Sequence, residues 1–209
     1  MRKPLVGLSL AALILAGVGV ARAADVTAEP IPPDFIQQFA PFAVQLIQQQ
    51  FPNAPVKVDP QTDKAQGFHV KEMLGVVMMP DKNLTAEAID KAADKDVPVA
   101  VLATKGLSVQ NKDAVVGADK VAVADFNGMF KIPVFFLAIR GKGDDRTLEV
   151  YSKDGTSIDS VPVKKMAGDK ESPCSIKISN IDIEKKKMDV VFSLGGAYET
   201  TVKLGSLDL

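Results

Sequence analysis

The β-rich pattern that begins at Val97 and runs almost to the C-terminus constrains the fold most strongly. Val, Ile and Thr recur there in short alternating segments, which favour strands. The Asp154-Gly155 pair is typical of a tight hairpin turn. A second hairpin is predicted around Lys185–Lys187, and residues 198–204 are predicted to form the closing strand. The second half of the chain is therefore expected to be mainly antiparallel sheet.

An internal repeat lies within this β-rich region. Residues 97–123 align with residues 132–163, and five of the first ten aligned positions are identical. Each unit has the pattern of three strands joined by turns, so we expect the two units to pair or stack into one sheet with approximate two-fold symmetry. A chance likeness between Pro-flanked apolar strands is the alternative.

An amphipathic helix is predicted from Asp34 to Phe51, because apolar residues recur there at spacings of three to four. Asp34 is a suitable N-cap, and Pro41 is expected to kink or restart the helix. Glutamines occupy the opposite face. The apolar face packs on the protein's own sheet or docks a partner, and we take the docking candidates to be Phe35, Phe39, Phe42 and Leu46.

A strand from Phe68 to Met79 and a short second helix capped by Thr85 complete the prediction. The fold class is thus α+β and mainly β, with an antiparallel sheet built on the duplicated unit.

The N-terminus has the pattern of a secretory signal peptide. Arg2 and Lys3 precede an uncharged apolar run, and Ala21-Arg22-Ala23 is a small-x-small cleavage pattern. We therefore predict a signal peptide at 1–23, a linker at 24–33 and a single domain at 34–209. The expected location is periplasmic or extracellular, with no transmembrane segment after cleavage.

Composition limits the chemistry. The chain has one His, one Cys and a formal net charge of -1, which argues against a nucleic-acid partner and a zinc site built from several His or Cys residues. No phosphate loop or nucleophile elbow occurs, and no cofactor is predicted. Cys174 is expected to be a buried thiol, with pairing to another chain as the alternative.

A soft-metal site is an alternative. His69, Met73 and Met78 lie close together in the sequence, and imidazole with thioethers suits Cu(I). Met in an apolar strand is ordinarily core, and alternation on a strand points neighbouring side chains to opposite faces.

The second repeat unit resembles a known family. The similar positions are hydrophobic and turn residues: Ile132-Pro133-Val134-Phe135, Ala138, Arg140-Gly141-Lys142, Leu148, Val150, Asp154-Gly155 and Val161-Pro162-Val163. This motif is similar to that of the 22-kilodalton component of the chloroplast inner-envelope protein translocon and its cyanobacterial periplasmic relatives. The resemblance covers about residues 130–165 and departs from the family at 164–168. It implies two similar halves, secretion into an intermembrane or periplasmic space, and an escort role for envelope proteins, with no catalytic residue.

Together these patterns predict an exported, non-enzymatic binding or escort protein of the cell envelope. Its partner is expected to be another envelope protein, and a homo-oligomer is possible on these grounds. The alternatives are a small copper-binding protein, and an enzyme without a recognisable motif that would use His69 or a serine–lysine pair.

Overall fold

A computed structural model describes residues 26–71, 74–93, 95–126, 128, 130–166, 174–207 and 209. The predicted signal peptide lies outside these residues. Within the described ranges, no helix has both the length and the apolar character that crossing a membrane requires.

The described chain is built from strands, two α-helices and two short 3-10 turns. In chain order the strands and helices are β1 (Glu29–Pro30), α1 (Pro33–Gln50), β2 (Gln66–Val70), β3 (Leu74–Pro80), α2 (Ala86–Asp90), β4 (Val97–Lys105), β5 (Leu107–Asn111), β6 (Ala114–Val115), β7 (Ala122–Asp125), β8 (Lys131–Arg140), β9 (Thr147–Tyr151), β10 (Ser157–Pro162), β11 (Lys164–Lys165), β12 (Cys174–Asp182), β13 (Lys187–Leu194) and β14 (Tyr198–Ser206).

These strands form two antiparallel sheets. The larger sheet has the order β1-β2-β3-β4-β8-β9-β10, with β7 also paired to β8. The smaller sheet has the order β12-β13-β14-β5-β6, with β11 paired to β14. The predicted α+β, mainly β class is confirmed. The strands divide between these two sheets instead of forming a single one.

The repeat units account for part of this division. Their first strands, β4 and β8, are antiparallel neighbours, with Leu102 opposite Phe135. Their second strands separate: β9 stays beside β8, whereas β5 joins β14 in the smaller sheet. Only Gly106, with φ of 70°, connects β4 to β5. Because the common hairpin loops contain at least two residues, β5 leaves the larger sheet here instead of folding back onto β4.

The molecule has three layers, with α1 on one face of the larger sheet and the smaller sheet on the other. Successive side chains of β3 alternate between the interface with α1 and the interface with the smaller sheet. Val76 and Met78 face the smaller sheet, whereas Val77 and Met79 face α1. The larger sheet is therefore buried on both faces over its central strands.

Helix α1 differs from the prediction at two prolines. It begins after Pro32, which provides no side-chain cap, and Asp34 lies in its first turn instead of at the N-cap. The helix continues through Pro41 for 18 residues. Proline removes its own N–H donor and crowds the carbonyl one turn earlier, and packing of the helix on the sheet offsets this cost.

Two further segments differ from the sequence prediction. The predicted strand from Phe68 to Met79 is instead an antiparallel hairpin formed by β2 and β3. Part of the predicted linker is the edge strand β1, in which Glu29 pairs with His69. In α2 the predicted cap is present, since the Ala88 N–H donates to Thr85 Oγ1 over 3.0 Å.

Candidate functional site

Helix α1 packs closely on the larger sheet and carries exposed aromatic residues on a neighbouring face. Its sheet-facing side is buried and includes the small residues Ala40 and Ala43, which let the helix lie close to the strands. The neighbouring face does not become buried in this way. Phe35 is 56% exposed and Phe42 is 43% exposed, values that are unusual for phenylalanine.

Five phenylalanine rings form a continuous group, which we call the phenylalanine cluster: Phe35, Phe39, Phe42, Phe126 and Phe130. Phe126 is its buried centre, with ring centroids 5.8 Å from Phe39, 5.8 Å from Phe42 and 4.9 Å from Phe130. Phe35 joins through Phe39 at 5.9 Å. Phe130 is 47% exposed. The cluster therefore has one ring in the core and three that present much of their surface to solvent.

A turn between β7 and β8 holds the last two rings. The Phe126 N–H donates to the Phe130 carbonyl over 3.0 Å, and the Gly128 N–H donates to Asp125 Oδ1 over 2.6 Å. Gly128 has φ of 74°, a conformation that glycine adopts without strain. Gln50 fixes this turn to the end of α1, because its side-chain amide bonds both the N–H and the carbonyl of Asp125, at 2.9 and 2.8 Å.

A cavity of about 610 Å³ opens beside the cluster, between the N-terminal half of α1 and the larger sheet. Phe35, Phe39 and Phe130 contribute to its walls, and Val77 and Ala103 line it from the strands. Binding sites for small ligands or anchoring side chains commonly have this size and apolar character. The cavity and the exposed rings thus form one continuous apolar surface.

The charged residues that line the cavity are basic. Among its described lining residues are Lys71, Lys105 and Lys131, together with His69, and none is Asp or Glu. His69 Nδ1 lies 3.0 Å from the Lys71 carbonyl oxygen, and its Nε2 lies 3.8 Å from Glu29 Oε2. The imidazole is thus held by local contacts at the edge of the cavity.

The docking residues predicted from the sequence differ in whether they line the cavity. Phe35 and Phe39 line the cavity, and Phe42 contacts Phe126 outside it. Leu46 is half-buried against the core beneath α1 and does not line the cavity. Three of the four candidates therefore belong to the phenylalanine cluster, and the helix both packs on its own sheet and presents apolar surface.

Two of the predicted copper ligands, His69 and Met78, are not brought together. His69 lies on the α1 side of the larger sheet, whereas Met78 is fully buried on the side that faces the smaller sheet. Met73 lies outside the described residues. The described part of the chain contains no group of three His, Cys, Asp or Glu residues that could hold a metal ion.

Glu149 is a buried polar group outside this site that has structural partners. Glu149 accepts hydrogen bonds from the hydroxyls of Thr147, Ser157 and Ser160, at 2.6 to 2.7 Å. Burial raises the pKa of Glu149, but these three bonds outweigh it, and the pKa lies below its usual value. A carboxylate held in its charged form by three donors is well suited to stabilising the sheet edge and poorly suited to proton transfer.

A second polar network joins α2 to the smaller sheet. The Arg146 guanidinium donates to the carbonyl oxygens of Ile89 and Asp90, each over 3.1 Å, and lies over the Tyr198 ring. The Tyr198 hydroxyl in turn donates to the Asp90 carboxylate. This network satisfies a buried cation and a helix end.

Cys174 is a buried thiol, as expected. Only 1% of its surface is exposed, and burial raises its pKa to about 12. A thiol in this environment is a poor nucleophile, since the thiolate is the reactive form.

The sequence analysis did not identify Phe126, Phe130 or the lysines that line the cavity. Phe126 and Phe130 flank an Asn127-Gly128 pair, a turn signal that places two aromatic residues at one end of a hairpin. Their contact with α1 joins segments far apart in the chain, and no local pattern predicts it. The lysines occur in three separate segments, so their proximity is equally a property of the sheet.

Comparisons with known proteins return no relative. No protein-family model matches the chain, and no curated protein and no solved structure matches it. The resemblance of residues 130–165 to the translocon family therefore stays a prediction, and function is argued from the site.

Proposed function

We propose that this protein is a non-enzymatic binding or escort protein of the cell envelope, which holds an apolar segment of another protein on the phenylalanine cluster and its adjoining cavity. The single observation that carries the proposal is the exposure of Phe35, Phe42 and Phe130 beside an open apolar cavity. Exposed apolar patches rimmed by polar residues mark interaction surfaces, and aromatic residues are enriched in interface cores.

The way in which the exposed rings are held favours binding over catalysis. Phe126 and the docked helix hold the exposed rings in place before a partner arrives, which lowers the entropy cost of binding. The signal-peptide pattern at residues 1–23 supports the envelope location.

Replacement of the exposed rings tests the proposal. In the purified protein, a triple variant Phe35→Ser, Phe42→Ser, Phe130→Ser removes apolar surface at positions that are already half in solvent, so the fold is expected to persist. A matched control, Met166→Ser with Leu209→Ser, removes exposed apolar side chains outside the cluster, which are 45% and 55% exposed.

Two assays distinguish these variants. Fluorescence anisotropy measures binding of a short, uncharged, dye-labelled apolar peptide, and light scattering measures aggregation of a denatured model protein. We expect the wild-type protein and the control variant to bind the peptide and to slow aggregation, and the triple variant to do neither. Equal behaviour of wild type and triple variant, with folding verified by circular dichroism, would exclude the cluster as the binding surface.

A further inference from the structure

The turn between β3 and α2 carries a sequence pattern in which the phenylalanine cluster has no part. Asn83-Leu84-Thr85 is the acceptor pattern for N-linked glycosylation, in which an asparagine is followed two positions later by Ser or Thr. The other asparagines of the chain lack this neighbour: Asn53, Asn111, Asn127 and Asn180. The pattern is short enough to occur by chance, so its structural surroundings decide whether it indicates a modification site.

Asn83 lies in a tight turn that the core holds from both sides. The Leu84 N–H donates to the Asp81 carbonyl oxygen over 3.3 Å, and the Asn83 N–H donates to Asp81 Oδ1 over 2.8 Å. Asp81 Oδ2 also accepts from the Asp59 N–H over 2.7 Å. Asp81 and Leu84 are both buried, whereas Asn83 is exposed. The turn therefore has a fixed backbone and presents Asn83 to solvent.

The side chain of Asn83 is accessible to modification. No hydrogen bond to its amide group occurs within the described part of the chain, so the fold does not depend on that group. Glycosylation replaces one of the two hydrogens on Nδ2, and an asparagine whose amide is buried and bonded on both sides has no room for the sugar. An oligosaccharide on Asn83 instead extends into solvent without breaking a contact of the folded protein.

Thr85 belongs both to the fold and to the acceptor pattern. Its Oγ1 accepts from the Ala88 N–H over 3.0 Å and so caps α2, and the residue is exposed. Ser, Asp and Asn also cap helices well, whereas the acceptor pattern requires Ser or Thr at this position. Substitutions of Thr85 can therefore separate the structural role from the modification.

The turn lies at the opposite end of β3 from the cavity. Residues 74–77, at the start of β3, line the cavity, whereas Asn83 comes after Pro80, the last residue of the strand. Leu74 and Pro80 are separated by about 20 Å, at about 3.3 Å per residue of extended strand. An oligosaccharide at Asn83 would therefore leave the phenylalanine cluster and the cavity open.

We infer that Asn83 is an N-glycosylation site of the exported protein. In this reaction Asn83 Nδ2 forms a bond to the anomeric carbon of an oligosaccharide, and the bond between that carbon and the diphosphate of a polyprenyl-diphosphate donor breaks. The lipid diphosphate leaves with the electron pair, and the proton lost from the amide passes to a base of the oligosaccharyltransferase. The inference depends on the predicted signal peptide and not on the binding function proposed above.

Secretion of the full chain, with residues 1–23, from a eukaryotic host provides the test. The secretory compartment of such a host contains the oligosaccharyltransferase and its lipid-linked donor. The exported wild-type protein should migrate as a larger species on a denaturing gel, and peptide-N-glycanase should abolish this shift. Because the glycanase converts the modified asparagine to aspartate, mass spectrometry of the treated protein should locate the change at Asn83.

Three variants provide matched controls. Asn83→Gln removes the acceptor and should abolish the shift. Thr85→Asp keeps a side chain that caps α2 but destroys the acceptor pattern, so this variant should fold and remain unmodified. Thr85→Ser keeps both the cap and the pattern and should still be modified.

The outcomes separate this inference from the proposed function. Exported wild-type protein without a glycan on Asn83 overturns the inference, and so does a shift that persists in Asn83→Gln. Retention of the chain inside the cell overturns the inference together with the predicted signal peptide. None of these results alters the peptide-binding assays on the purified protein. Glycosylated and glycanase-treated protein should bind the apolar peptide equally, and weaker binding by the glycosylated form would contradict the position of the glycan away from the cavity.

Discussion

Truncation of Phe126 is the sharpest test of how the exposed rings are supported. The ring is 1% exposed and contacts three other phenylalanines of the cluster, with centroids 4.9 to 5.8 Å away. Burial of a phenylalanine contributes about 1.5–3 kcal/mol, and truncation adds the cost of the cavity left behind. Phe126→Ala is therefore expected to lower the free energy of unfolding by about 4 kcal/mol.

Urea unfolding monitored by circular dichroism measures this loss. A domain of this size has a slope of about 2 kcal/mol per molar urea, so the midpoint should fall by roughly 2 M with the slope unchanged. Such a loss is a large share of an ordinary net stability of about 5–15 kcal/mol. Phe126→Leu, which keeps most of the apolar volume, should cost about 1.5 kcal/mol or less.

Phe42→Ala is the matched control for this experiment. Its ring contacts Phe126 at 5.8 Å but is 43% exposed, so its truncation removes less buried area and opens no closed cavity. A loss of about 1 kcal/mol is expected. A Phe126→Ala variant that is no less stable than Phe42→Ala would refute the argument that Phe126 is the buried support of the cluster.

Three further predictions concern the sheet and the thiol. Gly67→Ala places a Cβ 2.7 Å from Ile36 Cδ1, beneath α1, and should cost about 1–3 kcal/mol in urea unfolding. Gly75→Ala in the same hairpin meets its nearest atom at 3.7 Å and should be nearly neutral; equal costs would contradict close docking of α1. Because hydrogen bonds hold the folded pKa of Glu149 below 4.5, its stabilisation is present above that pH and is lost as the pH falls through the folded value. Glu149→Gln should therefore destabilise most at neutral pH, and a pH-independent difference in urea midpoints would count against this assignment. Cys174 should react with a thiol-specific dye only after denaturation, since burial raises its pKa to about 12; rapid labelling of the folded protein would show an accessible thiolate.

Local sequence patterns predicted the elements whose causes are local. The cap at Thr85, the hairpin joining β12 and β13, and the amphipathic character of α1 all depend on residues a few positions apart. Such patterns do not show where a strand turns. The segment from Phe68 to Met79 is rich in apolar residues and predicts one strand, yet β2 ends at Val70 and β3 begins at Leu74.

The candidate site divides in the same way. Phe35, Phe39 and Phe42 could be identified from helical spacing, and they do belong to the apolar surface beside the cavity. The residues that these rings contact could not be identified from helical spacing. Phe126 and Phe130 reach α1 across a large sequence separation, and Gln50 at the end of α1 fixes the turn that carries them. Helical periodicity separates polar from apolar faces but does not identify what each face contacts.

The sequence alone determined that this chain is mainly β, that an amphipathic helix precedes the sheet, and that single His and Cys residues limit its chemistry. Only the tertiary structure decided that the strands form two sheets, that His69 and Met78 lie on opposite faces, and that three lysines distant in sequence line one apolar cavity. The physical reason is the sequence separation over which each kind of interaction acts. Backbone preference and side-chain periodicity act over a few residues, whereas strand register and layer packing depend on contacts between distant segments.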